Sequence, residues 1–240
     1  MNREEQLQNL LTEWAQKHQE AGSNRFIFDG IVNPERWNKS ALKVCFLLKE
    51  SYFDSEQYEA DLLMPGCNST VHHWNPHIEN HLGFYTYNLV EHLREHDPWL
   101  MWCRVKEWTN RFYRLAGMNI ADAINEIAVL NLKKSNGTSK SDAKDILKYA
   151  NNDRELIIRE LELIDPDIVI CGGTYEYCIA ADLLENLETI AELNIFKKQV
   201  VAKSGKRLVL DCYHPAYPAV SYDKIEEYFK AVIPYLESIK

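Results

Sequence analysis

Four short apolar segments of the sequence each end in groups that can take part in chemistry. These groups are a carboxylate, an amide, a glycine turn and an imidazole: Glu50, Asn131, Gly172 with Gly173 and Thr174, and His214. A carboxylate accepts hydrogen bonds, an amide both donates and accepts, and an imidazole changes its charge near neutral pH. Glycine lets the backbone approach a ligand closely. Brought together, the four groups would form a polar cleft able to bind a ligand.

The segments that precede these groups predict the strands of a buried sheet. They are almost entirely apolar at successive positions, which is typical of strands covered on both faces. They are residues 43–48, 127–132, 168–171 and 208–212. Helical patterns separate them, so we expect a three-layer α/β/α sandwich with a central, mostly parallel, four-stranded sheet. Ligands bind beyond the carboxyl ends of strands in such sheets, which is where all four groups lie.

Each group also has a structural interpretation. Lys49 and Glu50 fit solvated loop charges, and Asn131 fits a turn cap. The glycine pair fits an ordinary strand-to-helix turn, since it lacks the G-x-G-x-x-G pattern of nucleotide-binding loops. His214 precedes a proline at the end of an apolar strand and is the hardest of the four groups to explain structurally.

Length and composition predict one domain over residues 1–240, with a long loop or lid at about 54–97. The net charge of −9 gives no overall attraction to a polyanion, so nucleic-acid binding would need a local basic patch. Lysines 133, 134, 140 and 144 suggest such a strip, and a solvated helix edge explains them equally well. The six cysteines show no Cys-x-x-Cys spacing and predict reduced core thiols in a cytoplasmic protein. We expect neither a signal peptide nor a membrane-spanning helix.

The histidines at 72, 73, 77 and 81, with Cys67 nearby, suggest a metal site at first sight. Histidines four residues apart bind one metal ion only when they lie on a helix, and Pro76 disfavours a helix that begins before His77. A polar loop is the better interpretation, and we predict no metal.

At its four strand ends the sequence resembles the uracil-DNA glycosylase superfamily. Residues 47–52, Leu-Leu-Lys-Glu-Ser-Tyr, stand where that family carries its water-activating motif. Residues 129–131, Val-Leu-Asn, look like the strand whose asparagine reads the base. Residues 214–218, His-Pro-Ala-Tyr-Pro, are similar to the family's His-Pro-Ser-Pro loop. The resemblance runs from about residue 43 to residue 218 and omits residues 54–97.

The resemblance implies a DNA glycosylase that hydrolyses the N-glycosidic bond of a damaged or modified base after flipping it out of the duplex. His214 would donate a hydrogen bond to the charge that develops on the base, and Asn131 would bind the base edge. Glu50 would position water or stabilise the cationic sugar. Trp74, Phe84 or Tyr85 would stack on the base. Further base-binding or ligand-binding residues are expected to be Lys49, Ser51, Tyr52, Lys133, Gly172, Gly173, Thr174, Pro215 and Tyr217. DNA, a nucleobase or a nucleotide is the expected partner, and no cofactor is expected.

Two other functions fit the same residues. The first is a catalytically inactive protein of this fold that binds a nucleotide or nucleic acid. It is favoured by the acidic net charge and by Ser51, because the best-known branch of the family carries aspartate at that position. The second is a partner-binding protein that uses the 54–97 loop as its interaction surface.

Overall fold

The structure is a computed structural model, and it describes residues 2–22, 26–52, 100–120, 123–137, 140–217 and 219–239. These ranges form a seven-stranded sheet in the spatial order β1-β3-β2-β4-β7-β6-β5. The strands are β1 (Gly30–Ile31), β2 (Val44–Tyr52), β3 (Ile127–Gly137), β4 (Ile168–Gly172), β5 (Glu188–Asn194), β6 (Lys198–Ser204) and β7 (Arg207–Cys212). The predicted loop at 54–97 lies outside the described residues.

The four predicted strands are β2, β3, β4 and β7, and they are neighbours in the sheet. β2 pairs in parallel with β3 and β4, and β4 pairs in parallel with β7. The expected α/β class is therefore confirmed, but the prediction of four strands is wrong. β1, β6 and β5 add antiparallel strands at the two sides of this parallel group. The sequence did not reveal β1 because it has only two residues, or β5 because this edge strand is mostly polar and exposed.

Helices cover both faces of the sheet. They are α1 (Arg3–Glu20), α2 (Pro34–Lys39), α3 (Leu100–Leu115), α4 (Ala143–Asn152), α5 (Arg154–Ile164), α6 (Tyr175–Ala180) and α7 (Tyr222–Val232). Two short 3₁₀ helices, Ala123–Glu126 and Ile233–Ile239, complete the described helices. Within the described residues, no helix combines the length and the apolar character needed to cross a membrane.

Successive residues of each central strand face opposite layers. Phe46 packs in a core with α3 and α7, where the rings of Phe112 and Phe229 lie 5.1 Å apart. Leu47 packs in a second core, with α1, α4, α5 and α6. Burial on both sides explains why these strands are apolar without alternation. The four cysteines whose side chains are described are free and buried, as the sequence predicted, and they are Cys45, Cys171, Cys178 and Cys212.

Candidate functional site

The parallel strands carry the predicted site residues to one edge of the sheet. β2 and β3 extend beyond their predicted ends, so Glu50 and Asn131 lie inside the strands, where Leu48 pairs with Asn131 and Glu50 with Lys133. Tyr52 pairs with Gly137, so the ends of the two strands are level. His214 comes two residues after the end of β7. Neighbouring strands lie about 4.8 Å apart, which puts the backbones of β2 and β7, two strands apart, at a separation of about 10 Å. Glu50, Asn131 and His214 therefore belong to the same edge.

Glu50 is held in an ion pair instead of being a solvated loop charge. Its Oε2 accepts a hydrogen bond from Lys133 Nζ at 2.8 Å, and Lys133 also donates to Asp145 Oδ2 at 2.6 Å. The Glu50 side chain is only 4% exposed. Burial opposes the charge of Lys133, but the carboxylates of Asp145 and Glu50 outweigh it and raise the pKa of this ammonium group. Gly137 lies directly against Glu50, because a methyl group at Gly137 would overlap the Glu50 carboxyl.

Asn131 is buried and is bonded to Asp29, a residue that the sequence did not single out. Asp29 Oδ2 accepts the backbone N–H of Asn131 at 2.7 Å and its side-chain Nδ2 at 3.2 Å. Asp29 directly precedes β1, and Gly30 adopts a φ of 119°, where a residue with a side chain would be strained. This backbone conformation allows β1 to run antiparallel to β3, with Gly30 opposite Val129.

Lys134 completes a buried ionic cluster with Asp29 and Glu160. Its Nζ bonds Asp29 Oδ1 and lies 2.7 Å from Glu160 Oε2, and all three side chains are 0% exposed. Its ammonium group also lies 5.0 Å from the centre of the Trp14 ring. Burial, reinforced by the negative charge of Asp29, raises the pKa of Glu160 to about 8, although Lys134 opposes the shift.

The hypothesis of a basic strip is therefore wrong for two of its lysines. Lys134 has no exposed surface with which to meet a phosphate, and Lys133 is neutralised by Glu50 and Asp145. Lys140 and Lys144 are exposed. The pair at 133 and 134 misled the prediction because consecutive lysines usually indicate a solvated surface.

The glycine turn after β4 is packed tightly against its neighbours. Gly173 has a φ of 69°, in the left-handed region that favours glycine. A methyl group at Gly172 would lie 3.1 Å from Pro215 Cδ. Thr174 is buried, and its hydroxyl donates to the carbonyl of Leu47 at 2.7 Å. The turn thus joins the ends of β2 and β4 to the loop after β7.

His214 lies at the centre of this edge with Lys49 and Gly173. A methyl group on Gly173 would lie 3.4 Å from His214 Cβ and 3.6 Å from Lys49 Cε. Burial, and then the positive charge of Lys49, lowers the pKa of His214 to about 4, so its imidazole is neutral at pH 7. Its Nδ1 accepts the backbone N–H of Ala216 at 3.1 Å, which places the ring proton on Nε2.

The residues that follow His214 form a tight turn. Pro215 is buried, and the N–H of Tyr217 donates to the carbonyl of His214 at 2.8 Å. The Tyr217 side chain is 47% exposed, and its ring stacks on Tyr213 with 4.9 Å between centroids. Arg104 donates to the Tyr217 carbonyl and fixes the turn to α3. The Tyr217 ring, three residues after His214, is thereby held against Tyr213.

The other predicted site residues lie outside what the structure describes, wholly or in their side chains. Ser51 and Tyr52 belong to β2, where Tyr52 pairs with Gly137, but only their backbone is described. Trp74, Phe84, Tyr85 and the histidine-rich loop at 67–81 are not described. Among the residues that are, no group of three histidine, cysteine, aspartate or glutamate side chains could hold a metal ion.

The sequence contains a signal for Glu160 that the site prediction did not use. Ile157, Leu161 and Ile164 form the buried stripe of α5, and residue 160 falls on that stripe. A glutamate in such a position requires a buried partner, and Lys134 is that partner. Asp29 likewise interrupts an apolar run, residues 26–28, that is buried in the structure.

Compared with known proteins, the sequence matches no protein-family model and no curated protein.

Proposed function

We propose that the chain is a DNA glycosylase of the uracil-DNA glycosylase superfamily, built as one domain. It would hydrolyse the N-glycosidic bond of a damaged or modified base. The observation that carries the proposal is the state of His214, a neutral imidazole with its proton on Nε2 at the carboxyl edge of the parallel sheet. The central strand order β3-β2-β4-β7 supports the fold assignment, because its ends carry the motifs of the resemblance in adjacent positions.

A neutral imidazole suits the bond cleavage of a glycosylase. When the N-glycosidic bond breaks, its electron pair stays on the base, and negative charge develops on a carbonyl oxygen next to the broken bond. A fixed Nε2–H donor stabilises that charge without having to reorganise. Water then adds to the sugar carbon and loses a proton to the solvent or to a base. The hydrogen bond from Ala216 holds the ring so that Nε2 is the donating nitrogen.

Asn131, Lys49 and Tyr217 have supporting roles in this proposal. Asn131 would bind the edge of the flipped base, and the exposed Tyr217 ring, three residues after His214, would offer a stacking surface. Lys49 lies next to His214 and adds positive charge where the leaving base becomes negative. The flipped base thus meets donors on one side and an aromatic face on another.

The test is base release from duplexes that carry uracil, hypoxanthine or an alkylated base, followed by cleavage of the abasic strand. His214→Ala should lower the single-turnover rate by ~10²–10³-fold. His214→Gln keeps an N–H donor and should lose less. Lys206→Ala alters an ion pair with Asp165, before the start of β4, and is the control that should keep the wild-type rate. Absence of base release by the wild-type chain from every duplex would rule out the glycosylase.

A second candidate is a protein of the same fold that binds a nucleobase or nucleotide without cleaving a bond. The specific observation in its favour is the ion pair between Glu50 and Lys133, which occupies the carboxylate that would act on water. This candidate predicts that calorimetry detects binding of free uracil or uridine while no duplex is cleaved. Turnover of any of the duplexes would exclude it.

A further inference from the structure

We infer that Lys49 is a nucleophile that gives this site a second activity, the cleavage of a DNA strand at an abasic sugar through a covalent imine. This role of Lys49 rests on the proposed function in one respect, because it takes the sugar of the released base to lie beside His214. Two observations carry it. Lys49 lies against the same glycine as His214, and within the described residues its amine forms no ion pair with a carboxylate.

Lys49 and His214 meet at Gly173. A methyl group built on Gly173 would be 3.6 Å from Lys49 Cε and 3.4 Å from His214 Cβ. The charge of Lys49 is close enough to His214 to contribute, after burial, to the low pKa of the imidazole. Lys49 is also partly exposed, so a ligand at this edge of the sheet can reach its amine.

Lys49 differs in its surroundings from the two lysines of β3. Lys133 and Lys134 each contact two carboxylates. Burial opposes both charges, but the carboxylates outweigh it and raise the pKa of each ammonium group. A protonated amine has no lone pair and cannot act as a nucleophile. Among the three lysines of β2 and β3, Lys49 is therefore the one whose amine is left to react with a ligand.

The first steps of the proposed reaction join Lys49 to the sugar. An abasic sugar opens to an aldehyde at C1′, and an unprotonated lysine amine adds to aldehydes. The nitrogen lone pair forms a bond to C1′, the carbonyl electron pair moves to the oxygen, and an amine proton passes to that oxygen through solvent. The hydroxyl then takes a further proton from solvent and leaves as water. An iminium ion between Lys49 and C1′ remains.

The iminium ion allows the strand to break. C2′ loses a proton to water, and the bond between C3′ and its oxygen breaks, with the electron pair leaving on the phosphate oxygen. Water then adds to the iminium carbon and releases Lys49 from an unsaturated aldehyde. No oxidant or reductant is consumed. The products are one strand that ends in this aldehyde and one that begins with a 5′ phosphate.

The experiment gives the full-length chain a duplex that already contains an abasic site, so that base release is not required. Cyanoborohydride reduces the imine and fixes the protein to the strand. The wild type should give a reductant-dependent adduct on residue 49. Trypsin does not cut after a modified lysine, so mass spectrometry should find a peptide that starts at residue 44 and continues past residue 49. Without the reductant, the wild type should cleave the strand in the absence of alkali.

A pair of lysine-to-arginine variants tests the assignment. Lys49→Arg keeps the positive charge but removes the reactive amine, so both the adduct and the strand cleavage should be lost. Lys148→Arg makes the same change at an exposed lysine of α4 and should keep both. The peptide mapping uses the wild type alone, so it decides the question even if Lys49→Arg does not fold.

The outcomes separate this activity from the proposed function. No adduct in the wild type, an equal yield of adduct in folded Lys49→Arg, or a label on another lysine overturns the role of Lys49. Base release without an adduct overturns that role and leaves the glycosylase intact. An adduct at Lys49 without base release from any base-containing duplex supports the strand-cleaving activity and overturns the glycosylase instead.

Discussion

Replacing Glu160 by glutamine should remove a large pH dependence of stability. The carboxyl of Glu160 has a pKa of about 8 in the folded protein, against 4.5 for an ordinary glutamate, because it is fully buried beside Asp29. Glutamine keeps the size of the protonated side chain, and its carbonyl can still accept from Lys134. The variant therefore imitates the protonated cluster at every pH.

The sign of this pH dependence follows from which state of the protein, folded or unfolded, holds the proton on Glu160 more tightly. Between pH 4.5 and pH 8 the folded protein keeps a proton on Glu160 that the unfolded chain has released. This proton stabilises the folded protein, and its contribution to the free energy of unfolding is fully present below pH 4.5 and is lost as the pH rises through 8. One pKa unit corresponds to about 1.4 kcal/mol. The free energy of unfolding of the wild type minus that of Glu160→Gln should therefore fall by ~3–4 kcal/mol between about pH 5 and about pH 8.

Urea unfolding of both proteins at half-unit pH steps measures the difference directly. Other titrating groups are common to both chains and cancel in the subtraction. A difference that stays constant from pH 5 to pH 8 would refute the reasoning, because it would mean that Glu160 is ionised in the folded protein throughout this range.

Three other predictions, two for variants and one for a titration, test the site. Lys134→Met leaves the buried carboxyls of Asp29 and Glu160 without their ammonium group. In urea titrations at pH 7 it should lower the free energy of unfolding by ~3–5 kcal/mol. A loss below ~1 kcal/mol would contradict a fully buried ion pair between Lys134 and Asp29. Gly137→Ala should push the Glu50 carboxyl off Lys133, because the new methyl group overlaps it. In a crystal structure of that variant, an intact 2.8 Å contact would argue against this packing. The His214 ring should stay neutral down to about pH 5 in a two-dimensional NMR titration, because its pKa in the folded protein is about 4. The stability that the neutral ring contributes should be lost as the pH falls from about 6 through 4. A titration midpoint near 6.5 would refute the burial of the ring beside Lys49.

The central strands were predictable because burial on both faces leaves a plain signature. Residues 44–48 and 168–171 have no polar side chain among them, and both segments are fully buried strand. The end of the helix that follows β4 has no such signature: α6 ends at Ala180, and Asp182 and Asn186 beyond it adopt left-handed conformations. Asp and Asn tolerate this conformation better than most residues, but their presence in a sequence does not predict it.

The site residues were predictable by position along the chain but not by partner. His214 follows β7 as expected, but Glu50 lies inside β2, which extends to Tyr52, four residues beyond the predicted strand end. The ion pair of Glu50 with Lys133 also joins residues 83 positions apart. The buried charge of Lys134 is a still clearer case, since lysine is among the residues least often buried. Only the three-dimensional arrangement, in which Asp29 and Glu160 approach from β1 and α5, reveals why it is tolerated.

The ionic contact between Asp29 and Lys134 also has a consequence for how the chain is made. Its two residues are 105 positions apart, so Asp29 leaves the ribosome well before its partner has been synthesised. Until then its carboxylate stays hydrated, and β1 has no β3 to pair with. Residues 26–31 can therefore pack onto the sheet only after β3 and α5 have emerged from the ribosome. A nascent chain halted before residue 134 should leave residues 26–31 accessible to protease, and one that extends beyond α5 should protect them.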